Sequence, residues 1–331
     1  MLRNNSFAGD ALKEDITSEA TLWVATIVLK FCTTTFLALC SVVSNIVNIV
    51  VFCRMGFDGS LTQNFLGLSI ADCLYGCIWF ILSIGLIIDH FGLWKSALSL
   101  QAFVKVGSAI CSIPFFASIT CTTVIAVVRC CSVVMPFHVK AVVTPRRQAL
   151  AIIVLISITV VFSSYYFSCF RLDWQSNPQK NISFISIGAC ESFSMRLRIL
   201  DYYRSVLIYT SLIIISVCLC ILIVSLRRSA NFKKVTSSAD PKMRRELQVI
   251  KTVTLVSAIF VLCNMPVLCM AFLRQNLPGF NFDGYMRRTF GILFMFHNVI
   301  TLANSSVNIF VFYFSSSNYR KTFKGLFHST Y

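Results

Sequence analysis

The sequence predicts an all-α membrane protein, a seven-transmembrane helix bundle plus a short amphipathic cytoplasmic helix. Of its 331 residues, 56% are hydrophobic and only 13% are charged, which leaves too little polar surface to cover a soluble core. The apolar residues form seven runs of about 20 residues or more, the length that a helix needs to cross a bilayer. Because backbone groups in lipid must be paired internally, continuous apolar runs of this length predict helices.

The predicted spans divide the chain into three parts. Residues 1–21 form an extracellular N-terminal tail, residues 22–314 the helical domain, and residues 315–331 the amphipathic helix and a short cytoplasmic tail. The seven predicted spans are Leu22–Cys53, Asn64–Ile88, Leu98–Val134, Ala149–Phe170, Tyr203–Leu226, Val249–Leu273 and Thr289–Phe314.

The distribution of charge predicts the orientation. The net charge is +16, and most clustered bases fall in the alternate loops Arg54–Gln63, Met135–Gln148 and Arg227–Gln248. By the positive-inside rule these loops are cytoplasmic, so the N-terminus is extracellular and the C-terminus cytoplasmic. We therefore expect a multi-pass plasma-membrane protein whose bases contact anionic lipid and a cytoplasmic protein, and no nucleic acid.

One acidic residue, Asp72, lies within the second span. No other charge occurs between Phe65 and Ile88, and a carboxyl group at that depth needs a polar partner or a bound cation. A protonated carboxyl that hydrogen-bonds to a neighbouring side chain is the simpler alternative. Asn45 in the first span lies deep enough in the membrane to meet Asp72.

The third span carries a polar residue and a basic residue on one face. Ser118 precedes Arg129 by about three helical turns. Arg129 lies at the predicted cytoplasmic end, where its side chain could simply extend to the interface. The following Pro136-Phe137 ends the helix and places a hydrophobic side chain in a basic loop.

The last two spans contain a predicted hinge and a polar stripe. Pro266, six residues after Phe260, removes a backbone hydrogen bond in mid-helix, which kinks the helix. Asn304, Ser305 and Asn308 share one face of the last span, which predicts that this face is turned into the bundle. Beyond Ser315–Ser317, apolar and basic residues alternate as in a helix that lies along the inner membrane surface.

Most of the 15 cysteines lie within the spans, where a thiol is usually a packing residue. Cys190 lies in the longest outer loop, Arg171–Tyr202, and Cys169 lies near the outer end of the fourth span. Asn4 and Asn181 each begin an acceptor sequence for glycosylation, and Asn4, so close to the terminus, could equally remain unmodified.

Taken together, these motifs resemble those of the rhodopsin-like G-protein-coupled receptors. The resemblance covers every span and rests on motifs in five of them. The matching residues are Asn45; Leu68-Ser69-Ile70-Ala71-Asp72; Arg129 with Pro136; Phe260 with Cys263-x-x-Pro266; and Asn304-Ser305-x-x-Asn308. The stretches Ser44–Phe57, Arg129–Arg147 and Asn304–Phe327 most resemble the molluscan branch of peptide-receptor-like and chemosensory-receptor-like members.

The resemblance implies a receptor that binds an extracellular ligand and activates a heterotrimeric G protein by movement of helix 6. It implies no required cofactor, but an allosteric Na⁺ held by Asp72, Ser118, Asn304, Ser305 and Asn308 with support from Asn45. It also implies that Arg129 and the Pro136-Phe137 segment contact the G protein, and that arrestin is a further partner.

Several family positions differ in this chain. Val128 stands where the family has an acid before the arginine, so we hypothesise that Glu246 restrains Arg129 instead. Phe312 replaces the family's tyrosine in helix 7, and Asn264 replaces the tryptophan above the kink. The family's outer disulfide would join Cys190 to either Cys111 or Cys169, and both pairings stay open.

The family positions Cys111, Phe115, Asn264 and Asn298 would line the ligand pocket. Helix 7 lacks a lysine for retinal and helix 3 lacks an acid for an amine, which leaves a peptide or a chemosensory small molecule. The outer arginines could meet an acidic ligand or could simply be solvated. A channel, a transporter-like protein and a decoy receptor without G-protein coupling remain alternatives, whereas no motif of an enzyme is complete.

Overall fold

The computed structural model describes residues 15–56, 60–94, 96, 98–135, 144–177, 182–235, 241–282 and 284–328. Seven of the described helices are long and apolar enough to cross a membrane, and the predicted seven-helix bundle is thereby confirmed. Their bounds are α1 Glu19–Met55, α2 Ser60–His90, α3 Leu100–Val134, α4 Pro145–Phe167, α5 Phe193–Val235, α6 Pro241–Asn276 and α7 Arg287–Ser315, and a shorter α8 spans Ser317–His328.

A β-hairpin lies between α4 and α5, in the stretch expected to be a loop. Strand β1 (Phe170–Asn177) pairs antiparallel with β2 (Ile182–Ala189). The sequence signal was the alternation of Phe170, Leu172 and Trp174 with polar residues, which is the period of a strand. The hairpin contacts α3, since the Ser99 N–H donates to the Ile185 carbonyl at 2.9 Å. We call this end of the bundle the hairpin end and the opposite one the α8 end.

Helix α1 contains a π-helical segment, Thr26–Thr33, between two α-helical parts. The hydroxyl groups of Thr33 and Thr34 each donate at 2.7 Å to the carbonyl five residues earlier. Threonine hydroxyls at this position bind carbonyls of the preceding turn and so support its wider winding.

Helix α1 has an apolar outer face and a polar inner face. Phe36, Leu39, Val43, Ile46 and Val50 are exposed at helical spacing, which is the stripe expected to face lipid. The buried face instead carries hydroxyl and amide side chains, namely Ser41, Ser44, Asn45 and Asn48. The distribution is therefore inverted relative to a soluble helix, as a membrane span with a polar interior requires.

The two largest apolar clusters among the described residues join helices across the bundle. The first lies towards the α8 end, where the rings of Phe52, Phe65, Phe312 and Tyr319 pack with aliphatic residues from α3, α5 and α6. The second joins α3, α5 and α6 and contains Phe260. Because lipid is as apolar as these side chains, their contribution comes from close packing and not from removal of water.

Candidate functional site

Asp72 on α2 lies at the centre of a buried polar network. Its side chain is only 3% exposed. The Ser118 hydroxyl on α3 donates to Oδ1 at 2.7 Å, and the Asn308 amide on α7 donates to Oδ2 at 2.9 Å. Each carboxyl oxygen therefore has a partner from a different helix, which satisfies the requirement for buried polar groups and ties α2, α3 and α7 together.

Two serine hydroxyl groups lie against the backbone carbonyl of Asp72. The hydroxyl groups of Ser41 and Ser305 lie 2.6 Å apart, so one donates to the other, and they lie 3.3 and 3.4 Å from the Asp72 carbonyl, which accepts the remaining hydrogen. Gly76 makes this approach possible, because a Cβ there would lie 2.9 Å from the Ser41 Oγ. The sequence interpretation did not identify Ser41, although it is one helical turn before Asn45.

The network continues from α1 to α8. The Asn45 amide donates to the carbonyls of Ser41 at 2.9 Å and Ser305 at 3.2 Å. The Asn48 amide donates to the Asn45 side-chain oxygen at 3.3 Å, and the Tyr319 hydroxyl donates to the Asn48 oxygen at 2.6 Å. A chain of hydrogen bonds thus runs from Asp72 to α8 through α1.

The predicted cation ligands are only partly assembled. Ser118 and Asn308 contact the carboxyl group, Ser305 contacts the Asp72 backbone, and Asn45 lies one step away. No hydrogen bond joins Asn304 to Asp72 in the described part of the chain. Carboxylate and hydroxyl oxygens suit a hard cation such as Na⁺, but Asn308 presents its amide nitrogen to the carboxyl group, and a cation would need the amide oxygen instead.

The predicted hinge lies within α6. Pro266 has no N–H to offer the carbonyl four residues earlier. Two residues before it, the Asn264 amide donates to the Phe260 carbonyl at 2.8 Å, and both of these residues are buried. Asn264 therefore binds its own helix just below the proline, and its place in the ligand pocket stays a prediction.

Hydrogen bonds join α6 to α7 and α8 at the α8 end. The Thr252 hydroxyl donates to the Ser315 Oγ at 2.9 Å, and the Ser317 hydroxyl donates to the Gln248 Oε1 at 2.9 Å. We call these two bonds the α6 latch. They hold α6 against its neighbours in this structure.

The other proposed switch residues are placed as follows. Arg129 is half-buried five residues before the end of α3, and the buried Phe312 ring lies 4.7 Å from Phe65. Glu246 lies on α6, but its side chain is outside the described part, so its pairing with Arg129 stays a prediction. Pro136 and Phe137, like the acceptors Asn4 and Asn181, also lie outside the described residues.

Of the proposed pocket residues, Cys111 and Phe115 face α2 and α7. The Cys111 thiol lies 4.0 Å from the Tyr75 carbonyl, and the Phe115 ring lies 5.8 Å from Tyr75 and 6.2 Å from His297. Asn298 is buried on α7. These contacts place Cys111 and Phe115 in the apolar interior of the bundle.

The disulfide bond joins Cys169 to Cys190. It links the end of α4 to the residue after β2, and the Cys190 N–H also donates to the Cys169 carbonyl at 3.0 Å. Cys111 is free and buried. Of the two pairings left open by the sequence, the structure thus contains the one within the hairpin region.

The segment before α1 clasps the start of α7. The Asp15 carboxylate accepts hydrogen bonds from the N–H groups of Arg288 at 2.6 Å and Thr289 at 3.3 Å, and Glu19 pairs with Arg288 at 2.7 Å. Burial raises the pKa of Asp15, but the hydrogen bonds from Thr289, Thr17 and Arg288 outweigh it and leave the pKa below its usual 3.8. The carboxylate thus caps the positive end of α7.

The fold and this network define a multi-pass membrane protein with a buried polar network in its interior. A family model described as 7 transmembrane receptor (rhodopsin family) matches residues 44–312. The chain therefore belongs to the rhodopsin family of seven-transmembrane receptors. Members of this family are signalling receptors and not enzymes, and a ligand and a G protein are their general partners.

Two curated relatives are galanin receptors. Galanin receptor type 2 of Rattus norvegicus is 25% identical over 199 residues, 57% of this chain and 47% of the relative. Galanin receptor 2b of Danio rerio is 24% identical over 303 residues, 86% of this chain and 71% of the relative. This chain thus spans about half the length of the rat receptor. The narrower resemblance to molluscan receptors stays a prediction.

Proposed function

We propose that this chain is a peptide-activated receptor of the plasma membrane that switches on a heterotrimeric G protein when α6 moves. Its similarity to galanin receptors supports a peptide as the ligand. The Asp72 network is the observation that supports this mechanism, because it joins three spans by hydrogen bonds. Such a network can adopt more than one arrangement, and a ligand that binds one arrangement more tightly shifts the population towards it. The N-terminus is extracellular and the C-terminus cytoplasmic.

Movement of α6 would begin at Pro266. Below the proline, Phe260 belongs to the buried apolar cluster that also contains Phe116 and Ile119 of α3 and Leu212 of α5. A swing of the lower half of α6 must displace this ring and break the α6 latch at Thr252 and Gln248. Opening at the α8 end would expose Arg129, and we propose that a G protein binds there and that arrestin competes for the same opening.

Sodium would stabilise the closed arrangement. Asp72 supplies the charge, and Ser118, Ser305 and Asn308 supply further oxygen atoms at the same depth. Cation binding through Asn308 requires its amide group to turn and give up the bond to the carboxyl group, whereas the Ser118 oxygen can bind a cation while its hydrogen stays on the carboxylate. Replacement of Asp72 by Asn removes the charge and should abolish any sodium dependence of signalling.

The test is G-protein dissociation measured in cells that display the chain at their surface, with galanin as the first peptide. Arg129→Ala should abolish the response without loss of surface expression, and Asp72→Asn should change the basal level and remove its dependence on external sodium. Replacing both Thr252 and Ser315 by Ala should raise ligand-free signalling. A surface-expressed chain that activates no G protein with galanin or other neuropeptides would favour the decoy receptor.

A further inference from the structure

We propose that the hairpin end contains a subsite for a carboxylate group of the ligand, formed by Arg204 on α5 and Lys105 on α3. The inference deepens the proposed function by naming a chemical class, an anionic ligand. The inference rests on the proposed function in one respect: it assumes that the group bound at this subsite belongs to the ligand that activates the receptor.

Arg204 is not a solvated loop charge. It lies on a membrane-spanning helix, is half-buried, and points towards α3, where its Nη2 donates to the Ser112 hydroxyl at 2.8 Å. A guanidinium has five N–H donors in a planar fork. The bond to Ser112 fixes the fork in place and leaves further donors for a second acceptor.

The local charges do not balance. Asp201, one turn before Arg204 on α5, is the nearby carboxylate, but it pairs with Arg274 of α6 at 2.8 Å. Among the described residues, no carboxylate forms an ion pair with Arg204 or Lys105. Arg204 and Arg274 therefore share one carboxylate, and a partly buried cation without a counter-ion of its own is unfavourable.

Lys105 extends the positive region towards the hairpin. It lies seven residues before Ser112, about two turns or 10 Å along the same face of α3. Its ammonium group sits over the rings of Phe193 at 5.2 Å and Phe170 at 5.8 Å. These cation–π contacts hold the lysine in a fixed position without neutralising its charge.

A carboxylate is the group that best fits this arrangement. The fork of Arg204 matches the two oxygens of a carboxylate, and such pairs are short and directional. An acidic side chain and a free C-terminus present the same group, so a peptide could use either. A neutral ligand would leave the excess of positive charge uncompensated, and an amine would increase it.

Three small probes separate these cases in a binding measurement on the purified full-length chain. N-acetyl-glutamate α-amide carries only a side-chain carboxylate, N-acetyl-glutamine carries only a terminal carboxylate, and N-acetyl-glutamine amide is neutral. Thermal unfolding is followed at constant ionic strength with each probe at about 50 mM, since a ligand that binds the folded state raises the unfolding temperature.

At least one anionic probe should raise the unfolding temperature of the wild type by about 2–4 °C, and the neutral probe should not. Arg204→Gln should abolish the shift, and Arg204→Lys, which keeps the charge but loses the fork, should reduce it. Arg287→Gln, at an exposed arginine of the same end, should leave the shift unchanged.

An equal shift with the neutral probe, an unchanged shift in both Arg204 variants, or no shift with either anionic probe would overturn the proposal. Arg204→Lys keeps the experiment decisive if Arg204→Gln does not fold. No G protein takes part in this measurement. A carboxylate shift without any G-protein response would therefore reject the proposed function and retain the subsite.

Discussion

The hydrogen bond between Tyr319 and Asn48 offers a direct test of the chain of bonds that joins α8 to the bundle. Tyr319→Phe removes the hydroxyl that donates at 2.6 Å to the Asn48 oxygen, in a site where both residues are at most 1% exposed. A buried acceptor left without its donor costs about 1–3 kcal/mol. Interhelical hydrogen bonds in membranes average about 0.6 kcal/mol, so the lower end of that range is the better estimate.

We therefore expect Tyr319→Phe to lower the stability by about 1 kcal/mol, a fall of about 1–2 °C in the unfolding temperature of a chain of this size. The aromatic contacts of the ring with Phe52 and Phe312 should survive the change. The assay is thermal unfolding of the purified full-length chain in one detergent, with Asn48→Val and the double variant measured beside it.

The double variant decides between a bond and general packing. If the two groups bond, Asn48→Val and Tyr319→Phe should be non-additive, with a coupling of about 0.5–1 kcal/mol. Tyr313→Phe is the matched control, because Tyr313 lies nearby on α7 and its hydroxyl has no hydrogen-bond partner among the described residues. Equal losses in Tyr313→Phe and Tyr319→Phe, or an additive cycle, would refute the reasoning.

Two further predictions concern the α1–α2 contact and the clasp on α7. Gly76→Ala would place a methyl group 2.9 Å from the Ser41 Oγ, so we expect a loss of about 1–3 kcal/mol in thermal unfolding, whereas Gly325→Ala, which has open space around it, should change little. Because the pKa of Asp15 is lowered by its hydrogen bonds, its stabilising effect should be present above about pH 4 and fade as the pH falls through the lowered value. The protection of the Thr289 amide, which is its exchange rate relative to the intrinsic rate at the same pH, should fall at low pH and, in Asp15→Asn, already at neutral pH. Unchanged exchange in Asp15→Asn would contradict the capping role.

The bundle could be predicted from the sequence because span length and apolar content are local properties. The importance of Asp72 could be predicted for the same reason, since a single charge within an apolar run stands out without knowledge of its neighbours. Helix periodicity also placed Ser305 and Asn308 on one inward face, and both residues contact Asp72.

Partners that are distant in sequence could not be predicted. Tyr319 and Asn48 are separated by 271 positions, and each alone has an ordinary interpretation, as an interfacial aromatic residue and as a packing amide. Ser41 was missed because a serine in a membrane helix usually bonds to its own backbone. Only the close approach at Gly76 makes it a partner of Asp72.

The start of α5 was predicted ten residues too late. Charged residues such as Arg196 and Asp201 interrupt the apolar run, and the helix continues past the bilayer length through bonds such as that from Arg196 to Ser168. Hydropathy places the limit of a span at its last apolar residue, whereas the helix itself extends as far as its backbone hydrogen bonds continue. The two limits differ most where a helix projects beyond lipid.

The disulfide has a consequence for the way in which the helices are attached to one another at the hairpin end. The Cys169–Cys190 bond closes a ring that contains only the hairpin, so this covalent link connects α4 with α5 and bypasses α3. Helix α3 touches the hairpin through the bond between Ser99 and Ile185. At the hairpin end, α3 can consequently shift against the hairpin by exchanging non-covalent contacts, namely this hydrogen bond and the contact of Lys105 with Phe170. A reducing agent would loosen the hairpin and would affect α3 only through these contacts.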